Sequence, residues 1–135
     1  MLFTKILLST CFCVSTLFPM TGTETSTPLS CGPSTITVIT APANIGNLET
    51  TRAVFPSGCY PDMVVMSVYT TGGDGSPVLV GFQIYYIGGV STYDCNWTPS
   101  VGGEHWTVVE WYEVDYTIHQ YSLLGSATGG FIIVT

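Results

Sequence analysis

The chain has 135 residues, of which nine are acidic and two are basic, and its formal net charge is −7 at pH 7. Nucleic-acid binding and adsorption to anionic lipid both need clusters of Lys and Arg, so this composition argues against both partners. Hydrophobic residues make up 46% of the chain, which is enough apolar surface to fold rather than stay disordered. The length suits a single domain.

The first 23 residues are predicted to be a secretory signal peptide. Lys5 precedes a mostly apolar run, Ile6–Phe18, and small residues follow as far as Thr23. That order is typical of secretory signals, and the run is shorter than the ~20 residues of a membrane-spanning helix. We therefore expect cleavage near Gly22 or Thr23, and a secreted domain over residues 24–135 with no membrane association. The alternative is an uncleaved anchor.

Two short strands are predicted at the start of this domain, over Thr35–Thr40 and Leu48–Phe55. The second alternates only weakly between apolar and polar residues, and it carries Arg52. A charge in such a strand opposes unwanted pairing, so the pattern favours an edge strand.

The most distinctive stretch is Met63–Ile87, which we interpret as a β-hairpin. Two runs rich in Val, Ile, Tyr and Phe flank the turn sequence TGGDGSP, and both faces of each run are largely apolar. This is typical of strands that are buried on both sides. Asp74 in the turn has the chemistry of a calcium ligand, but calcium takes six to eight oxygens, so a simple turn role explains this residue fully.

The rest of the chain also has the pattern of strands. Thr92–Trp97 places Tyr93, Cys95 and Trp97 on one face at a period of two residues. The residues from Tyr112 to Ile118 alternate like a half-buried strand. Upstream of them, Val109 and Trp111 lie on the opposite set of alternate positions from Trp106 and Val108. This change predicts a turn or β-bulge near Glu110. The sequence GSATGG predicts a last turn, and FIIVT a last strand.

No helical periodicity of useful length appears after the signal peptide. Seven or eight short strands separated by turns are typical of a β-sandwich. We therefore predict an all-β fold, an antiparallel β-sandwich.

The cysteines indicate one disulfide. Cys11 and Cys13 would leave with the signal peptide, so Cys31, Cys59 and Cys95 remain. An odd number in an oxidising compartment predicts one bridge and one spare thiol. The spare thiol is either buried and inert or it links two chains in a disulfide-bonded dimer.

Several short motifs resemble the small secreted cysteine-framed β domains common in nematodes. The matching residues are Cys31, Gly58–Cys59, Cys95–Asn96 and Gly103 through Trp106. Ser67 and Thr135 stand where further cysteines of that family are expected. The resemblance implies a Cys31–Cys59 bridge and an unpaired Cys95, and it carries no activity.

Asn96-Trp97-Thr98 is an acceptor sequon for N-glycosylation. Cys95 before it and Pro99 after it are expected to hinder its use. The sequon indicates a surface position.

The segment Glu104–His119 is the candidate for a metal or acid/base site. It holds both histidines of the chain and four carboxylates, which are Glu104, Glu110, Glu113 and Asp115. Glu113, Asp115 and His119 on one strand would span ~20 Å, too far for a single ion without help from a neighbouring strand. A solvated acidic face is the simpler interpretation.

The three tryptophans, Trp97, Trp106 and Trp111, are the candidates for an exposed aromatic platform. Such platforms stack on sugars or anchor a protein partner, although Trp in a small sandwich more often packs in the core.

Taken together, the residues predict a secreted extracellular binding or structural domain with a protein or glycan ligand, no enzymatic activity and no cofactor. No Gly-x-Ser-x-Gly elbow or Cys–His spacing suggests a nucleophile. The alternative is a secreted enzyme or metal-binding protein that uses Glu104–His119.

Overall fold

The structure, a computed structural model, describes residues 31–86 and 89–135. The predicted signal peptide and the segment 24–30 lie outside this part of the chain. The described residues form seven strands, which are β1 Thr35–Val38, β2 Glu49–Val54, β3 Met63–Thr71, β4 Pro77–Tyr85, β5 Thr92–Trp97, β6 Gly103–Asp115 and β7 Gln120–Val134. None of this part of the chain forms a helix long and apolar enough to cross a membrane.

The strands form two antiparallel sheets, which confirms the predicted all-β sandwich. One sheet has three strands in the order β1-β2-β5, and the other has four in the order β4-β3-β6-β7. Alternate side chains of a strand point to opposite faces. Each sheet therefore turns one set of side chains towards the other sheet and a second set outwards.

The core lies between the sheets and is built from residues at a period of two. The three-stranded sheet contributes Ala53, Tyr93, Cys95 and Trp97, and the four-stranded sheet contributes Val64, Met66, Val68, Val109 and Trp111. Phe55 packs edge-on against Tyr93 and Trp111, with ring centroids 5.5 and 5.7 Å away. The predicted buried face of Thr92–Trp97 is therefore confirmed.

The predicted hairpin is formed by β3 and β4, but the two strands differ in burial. β3 pairs with β4 and β6 and lies inside the sheet, whereas β4 is an edge strand with much of its outer face exposed. Asp74 closes the turn by accepting a hydrogen bond of 2.9 Å from the Ser76 amide. That hydrogen bond lowers the pKa of the Asp74 carboxyl.

The prediction that Leu48–Phe55 is an edge strand is wrong. The strand observed there, β2, lies between β1 and β5 at the centre of its sheet. The charge of Arg52 is tolerated because it faces outwards and pairs with Asp94 on β5. From the sequence alone, a charged residue that pairs with a neighbouring strand cannot be distinguished from one that protects an edge strand.

The predicted end of the chain is also wrong in two places. β6 ends at Asp115 and the chain turns over residues 116–119, inside the predicted strand. GSATGG is not a turn but part of the 15-residue strand β7. Glycine permits a left-handed backbone, and Gly130, at φ 60°, absorbs an irregularity in the strand instead of reversing it. A register shift does occur close to Glu110, between Trp111 and Tyr112, but its extra residue is Leu124 on β7. β6 itself pairs with β3 without a shift from His105 to Tyr112, so the apolar parity changes because both faces of the sheet are apolar and not because β6 turns or bulges.

The disulfide joins Cys31 to Cys59 and so ties the first described residue to the segment before β3. This is the pairing that the resemblance implied.

The indole of Trp111 is held between two glycines. A Cβ added at Gly32 would approach it to 2.8 Å, and one added at Gly125 would lie within 3.0 Å of three of its atoms. The ring fits because neither position carries a side chain.

Replacing Gly125 with Ala is therefore expected to destabilise the fold by about 1–3 kcal/mol, the usual cost of overpacking a rigid core. Urea unfolding followed by tryptophan fluorescence measures this change. The control is Gly73→Ala, because a Cβ at Gly73 meets nothing within 4 Å. Equal stability of both variants would contradict the close fit around Trp111.

Replacing Cys59 with Ser removes the disulfide, which links two residues that lie 28 positions apart in the chain. The chain-entropy estimate for such a loop is ~3 kcal/mol of lost stability, so we expect a clear fall in the melting temperature. Cys31→Ser should cause the same fall, and the double variant should be no worse than either single one. Additive losses would contradict the pairing.

Candidate interaction surface

The outward face of the three-stranded sheet is polar. Seven of its eight outward side chains are polar, namely Thr35, Thr37, Thr50, Arg52, Thr92, Asp94 and Asn96, and Val54 is the exception. This is the usual arrangement for a sheet with one face in the core and one in solvent.

Arg52 and Asp94 form a bidentate ion pair on this face. Arg52 Nε donates to Asp94 Oδ1 at 2.8 Å, and its second guanidinium nitrogen donates to Oδ2 at 2.9 Å. The hydrogen bond from Arg52 holds the pKa of the Asp94 carboxyl below its usual value. Both side chains are more than a third exposed, so the pair organises the polar face more than it stabilises the fold.

The outward face of the four-stranded sheet is apolar, and we call it the outer apolar face. The strand registers place apolar or aromatic side chains on it from all four strands, among them Met63, Val65, Tyr69, Leu79, Phe82, Ile84, Trp106, Val108, Tyr112, Tyr121, Leu123, Phe131 and Ile133. Their exposure ranges from buried Met63 to Phe131 and Ile133, each 62% exposed. Contiguous apolar surface of this kind marks interaction sites in soluble proteins.

One row of this face crosses all four strands. Leu79 lies opposite Tyr69, and Tyr69 lies opposite Trp106. The rings of Tyr69 and Trp106 stack with centroids 6.2 Å apart and 26° between their planes. Phe131 follows on β7, where the register with β6 shifts beside Trp106. The row ends in exposed Leu79 on one side and exposed Phe131 on the other.

Two acidic groups lie on the strand positions of this face. Glu110 is half-buried in the middle of β6, and the Tyr112 hydroxyl donates to its Oε1 at 3.4 Å. Burial, and then the charge of Glu110, raise the pKa of the Tyr112 phenol. Glu104 lies at the start of β6, opposite Ile133. The middle of the face therefore carries one half-buried carboxylate, Glu110, beside the exposed hydroxyls of Ser126 and Thr128 on β7.

The three tryptophans do not form a common platform. Trp97 is 3% exposed and Trp111 is 7% exposed, and both belong to the core. Their side chains point inwards because of strand parity, which the sequence showed for Trp97. Trp106 alone reaches the outer apolar face. Sequence reasoning missed Leu79, Phe82, Phe131 and Ile133, although the apolarity of both faces of the second hairpin strand pointed to part of this surface.

A polar cluster lies inside the core around Trp97. Thr51 Oγ1 accepts a hydrogen bond from Trp97 Nε1 at 3.0 Å and another from the Thr107 hydroxyl at 3.2 Å. His105 stacks on Trp97 with centroids 5.4 Å apart, and its Nδ1 lies 3.0 Å from the Gly103 carbonyl oxygen. Because a carbonyl only accepts, Nδ1 carries the hydrogen, and His105 Nε2 is left buried without a partner.

The segment Glu104–His119 does not converge on a site. His105 is fully buried, whereas His119 lies in the exposed turn between β6 and β7. Ten strand positions separate His105 from Asp115, which is ~33 Å at ~3.3 Å per residue. Within residues 31–86 and 89–135, no group of three or more His, Cys, Asp or Glu side chains is placed to hold a metal. The described residues therefore do not bring Glu104–His119 together as a metal site.

A cleft of about 410 Å³ lies where the β3–β4 turn meets the loop after β5. Its lining is small and without titratable groups, being Thr70, Thr71, Gly72, Gly73, Val78, Leu79, Val80, Thr98, Ser100, Val101 and Gly102. It offers hydroxyls and backbone but no acid, base or nucleophile of perturbed reactivity.

The two remaining predicted sites lie on β5 and point in opposite directions. Asn96 is exposed on the polar face, where its side-chain oxygen accepts a hydrogen bond of 2.7 Å from Thr50. Cys95 is fully buried and unpaired. Of the two alternatives for the spare thiol, the structure favours the buried one, because a link between chains needs an accessible sulfur.

Comparison with protein-family models, with curated proteins and with solved structures finds no match to this chain. The likeness to nematode β domains therefore depends on its short cysteine motifs alone.

Burial raises the pKa of the Cys95 thiol to about 11, from an ordinary value of 9.0. The unfolded chain thus releases this proton at lower pH than the folded chain does. The contribution of the buried, protonated thiol to the free energy of unfolding is therefore fully present below pH 9 and is lost as the pH rises from 9 to 11. We expect the free energy of unfolding to fall by about 2 kcal/mol more in the native sequence than in Cys95→Ala between pH 7.5 and pH 10.5.

Urea titrations of both proteins at the two pH values measure this difference, and the tyrosines cancel because both proteins contain them. Thiol titration at pH 8 supplies a second readout. The folded protein should show no reactive thiol, and protein unfolded without reductant should show one per mature chain, that of Cys95. A rapidly reacting thiol in the folded protein would contradict the burial of Cys95.

Proposed function

We propose that this chain is a secreted binding domain whose ligand is another protein, bound on the outer apolar face. The observation that carries the proposal is the contrast between the outward faces of the two sheets. One is polar, as solvent contact requires, and the other is apolar across all four of its strands. A sheet face facing only water has no reason to carry Leu79, Phe82, Phe131 and Ile133 at half exposure or more.

A protein ligand fits this face better than a glycan does. Sugars are held by an aromatic ring together with hydrogen-bonding groups at its rim. Here Leu79 and Phe131 flank the Tyr69–Trp106 pair in its own row, and Ser67 is buried. The exposed hydrogen-bonding groups of the face, Glu104, Ser126 and Thr128, lie outside that row. Aromatic and aliphatic anchors with few charges are the composition of protein interface centres.

Secretion is supported by the disulfide and by the predicted signal peptide. The Cys31–Cys59 bridge suits an oxidising compartment. A glycan on Asn96 would lie on the polar face, behind the sheet that carries the ligand surface. Modification there and binding on the outer apolar face are therefore compatible.

The test compares two pairs of substitutions that remove similar apolar area. Leu79→Ser with Phe82→Ser removes two exposed side chains from the outer apolar face, and Leu48→Ser with Tyr60→Ser removes two from loops elsewhere. The apolar dye bis-ANS should bind the folded native protein, and its binding should fall in the first variant alone. In a screen against extracellular proteins of the same organism, the first variant should lose at least tenfold in affinity for a captured ligand, since interface anchors contribute ~2 kcal/mol or more.

Failure of the folded protein to bind the dye would overturn the proposal. So would a captured ligand whose affinity changes equally in both double variants.

A further inference from the structure

Among the residues that the structure describes, no strand pairs with the outer edge of β7. This strand is the longest of the fold and lies at the end of the four-stranded sheet, paired with β6. Within the described residues, backbone bonds on its far side occur only past its end. There Ile45 N donates to the Thr135 oxygen, and Thr135 N donates to the Ala43 oxygen. Unpaired strand edges are templates for pairing with another strand.

The usual protections of an exposed edge are weak in β7. Edge strands are commonly shielded by charges, by proline, by β-bulges or by being very short, and of these devices β7 has only the irregular positions at Leu124 and Gly130. The 15 residues Gln120–Val134 contain no charged residue and no proline, in a chain with nine acids. The other edges are different: β1 has four residues, and β4 begins at Pro77 and is tied to β5 by the bond from the Tyr85 hydroxyl to the Asp94 oxygen.

The outward positions of β7 and its two irregular positions are placed symmetrically about Ala127. Leu124, three positions before Ala127, has no partner on β6 because the register shifts there. Gly130, three positions after Ala127, lies at the second register shift and has a left-handed backbone. The outward positions fall at equal distances on both sides, and they are Ser126 and Thr128, Leu123 and Phe131, and Tyr121 and Ile133. The members of each pair are alike in character.

We propose that β7 pairs antiparallel with β7 of a second copy of this chain, about a two-fold axis at Ala127. The two four-stranded sheets then form one continuous sheet of eight strands. In this register Leu123 faces Phe131 of the second copy and Tyr121 faces its Ile133, so exposed apolar side chains meet exposed apolar side chains. The irregular positions also face each other, Leu124 opposite Gly130, so the bulges do not shift the register.

The small residues at the centre of the strand favour close approach. Between the two bulges the sequence is Gly-Ser-Ala-Thr-Gly over residues 125–129. Ser126 then lies opposite Thr128 of the second copy, a pair of hydroxyls that stabilise antiparallel strands by cross-strand hydrogen bonding.

Charge favours edge pairing as the way in which two such acidic chains associate. Glu110 lies on β6, opposite Ser126 of β7. In the eight-stranded sheet, three strand spacings separate it from Glu110 of the second copy, which is ~14 Å at ~4.8 Å per spacing. That distance exceeds the Debye length of ~8 Å at physiological ionic strength. Stacking two outer apolar faces, at ~10 Å between sheets, would bring the same carboxylates nearer and bury them.

Sedimentation velocity on the full chain, secreted with its own leader, tests the proposal between about 1 and 100 µM. We expect a shift from monomer to dimer over this range, because one strand pair buries less than the ~1,200 Å² of a standard stable interface. Ser126→Asp with Thr128→Asp places like charges opposite each other twice, and so does Ser126→Lys with Thr128→Lys. Each double variant should weaken association at least tenfold.

The decisive step is to mix these two double variants. Opposite charges then face each other in the proposed register, and a heterodimer should form at least as tightly as the native dimer. The control, Thr35→Asp with Thr37→Asp on the polar face, should associate as the native protein does. Melting curves establish that all variants are folded.

Three results would overturn the proposal: a native chain that stays monomeric at 100 µM, charge variants that associate as before, or a dimer that is lost in the variant Cys95→Ala, which keeps the Cys31–Cys59 bridge. The proposal does not depend on the ligand of the outer apolar face. A dimer lost in the Leu79→Ser and Phe82→Ser variant but kept in the Ser126 and Thr128 variants would mean that the faces, not the edges, associate.

Discussion

The structure depends on a four-stranded sheet that is apolar on both faces. A sheet of this kind must be covered twice, and the chain supplies one cover, the three-stranded sheet. The inner interface uses large rings against small residues: Trp111 against Gly32 and Gly125, and Trp97 against Gly81, where an added Cβ would clash. The outer face receives no equivalent cover from the described part of the chain. The proposed function follows from that imbalance.

The inner interface contains more polar groups than a small core usually does. Glu49 is buried, and its two carboxylate oxygens accept hydrogen bonds from the Thr40 hydroxyl at 2.6 Å and from the Asn44 amide at 3.1 Å. Thr51, Thr107 and His105 lie in the same layer as Trp97. Buried polar groups of this kind stabilise little when satisfied and cost much when disrupted. They fix which strand faces which, because a shift of one residue would leave the Glu49 carboxylate or the Thr51 hydroxyl without partners.

Much of the fold could be predicted from local patterns, because strands repeat every two residues and turns use Gly, Pro and Asp. The hairpin of β3 and β4 and the buried face of β5 were predictable in this way. The order of strands in a sheet was not: Arg52 has the same sequence signature in an edge strand as in a central strand paired with Asp94. The sequence predicts a turn at Gly129 and Gly130, where the structure has a continuous strand, because glycine is as common in a β-bulge as in a turn. The candidate site was only partly predictable, since the exposure of Phe131 or Leu79 depends on which strands lie above them, and no strand of the described residues does.

The acidity of the chain affects how other molecules can approach the outer apolar face. A soluble protein with this much exposed apolar surface is prone to associate without specificity. Net charge opposes that tendency through long-range repulsion, and apart from Glu104 and Glu110 the acids of the described residues lie off the face. Asp74 is in the β3–β4 turn, Asp62 accepts the Val114 amide beside the start of β3, and Glu113 and Asp115 lie at the far end of β6. These charges surround the apolar strands at their ends, so they repel a second copy that approaches face to face and leave the uncharged length of β7 open. The same distribution therefore opposes non-specific association and favours an approach along the edge of β7 over an approach to the outer apolar face.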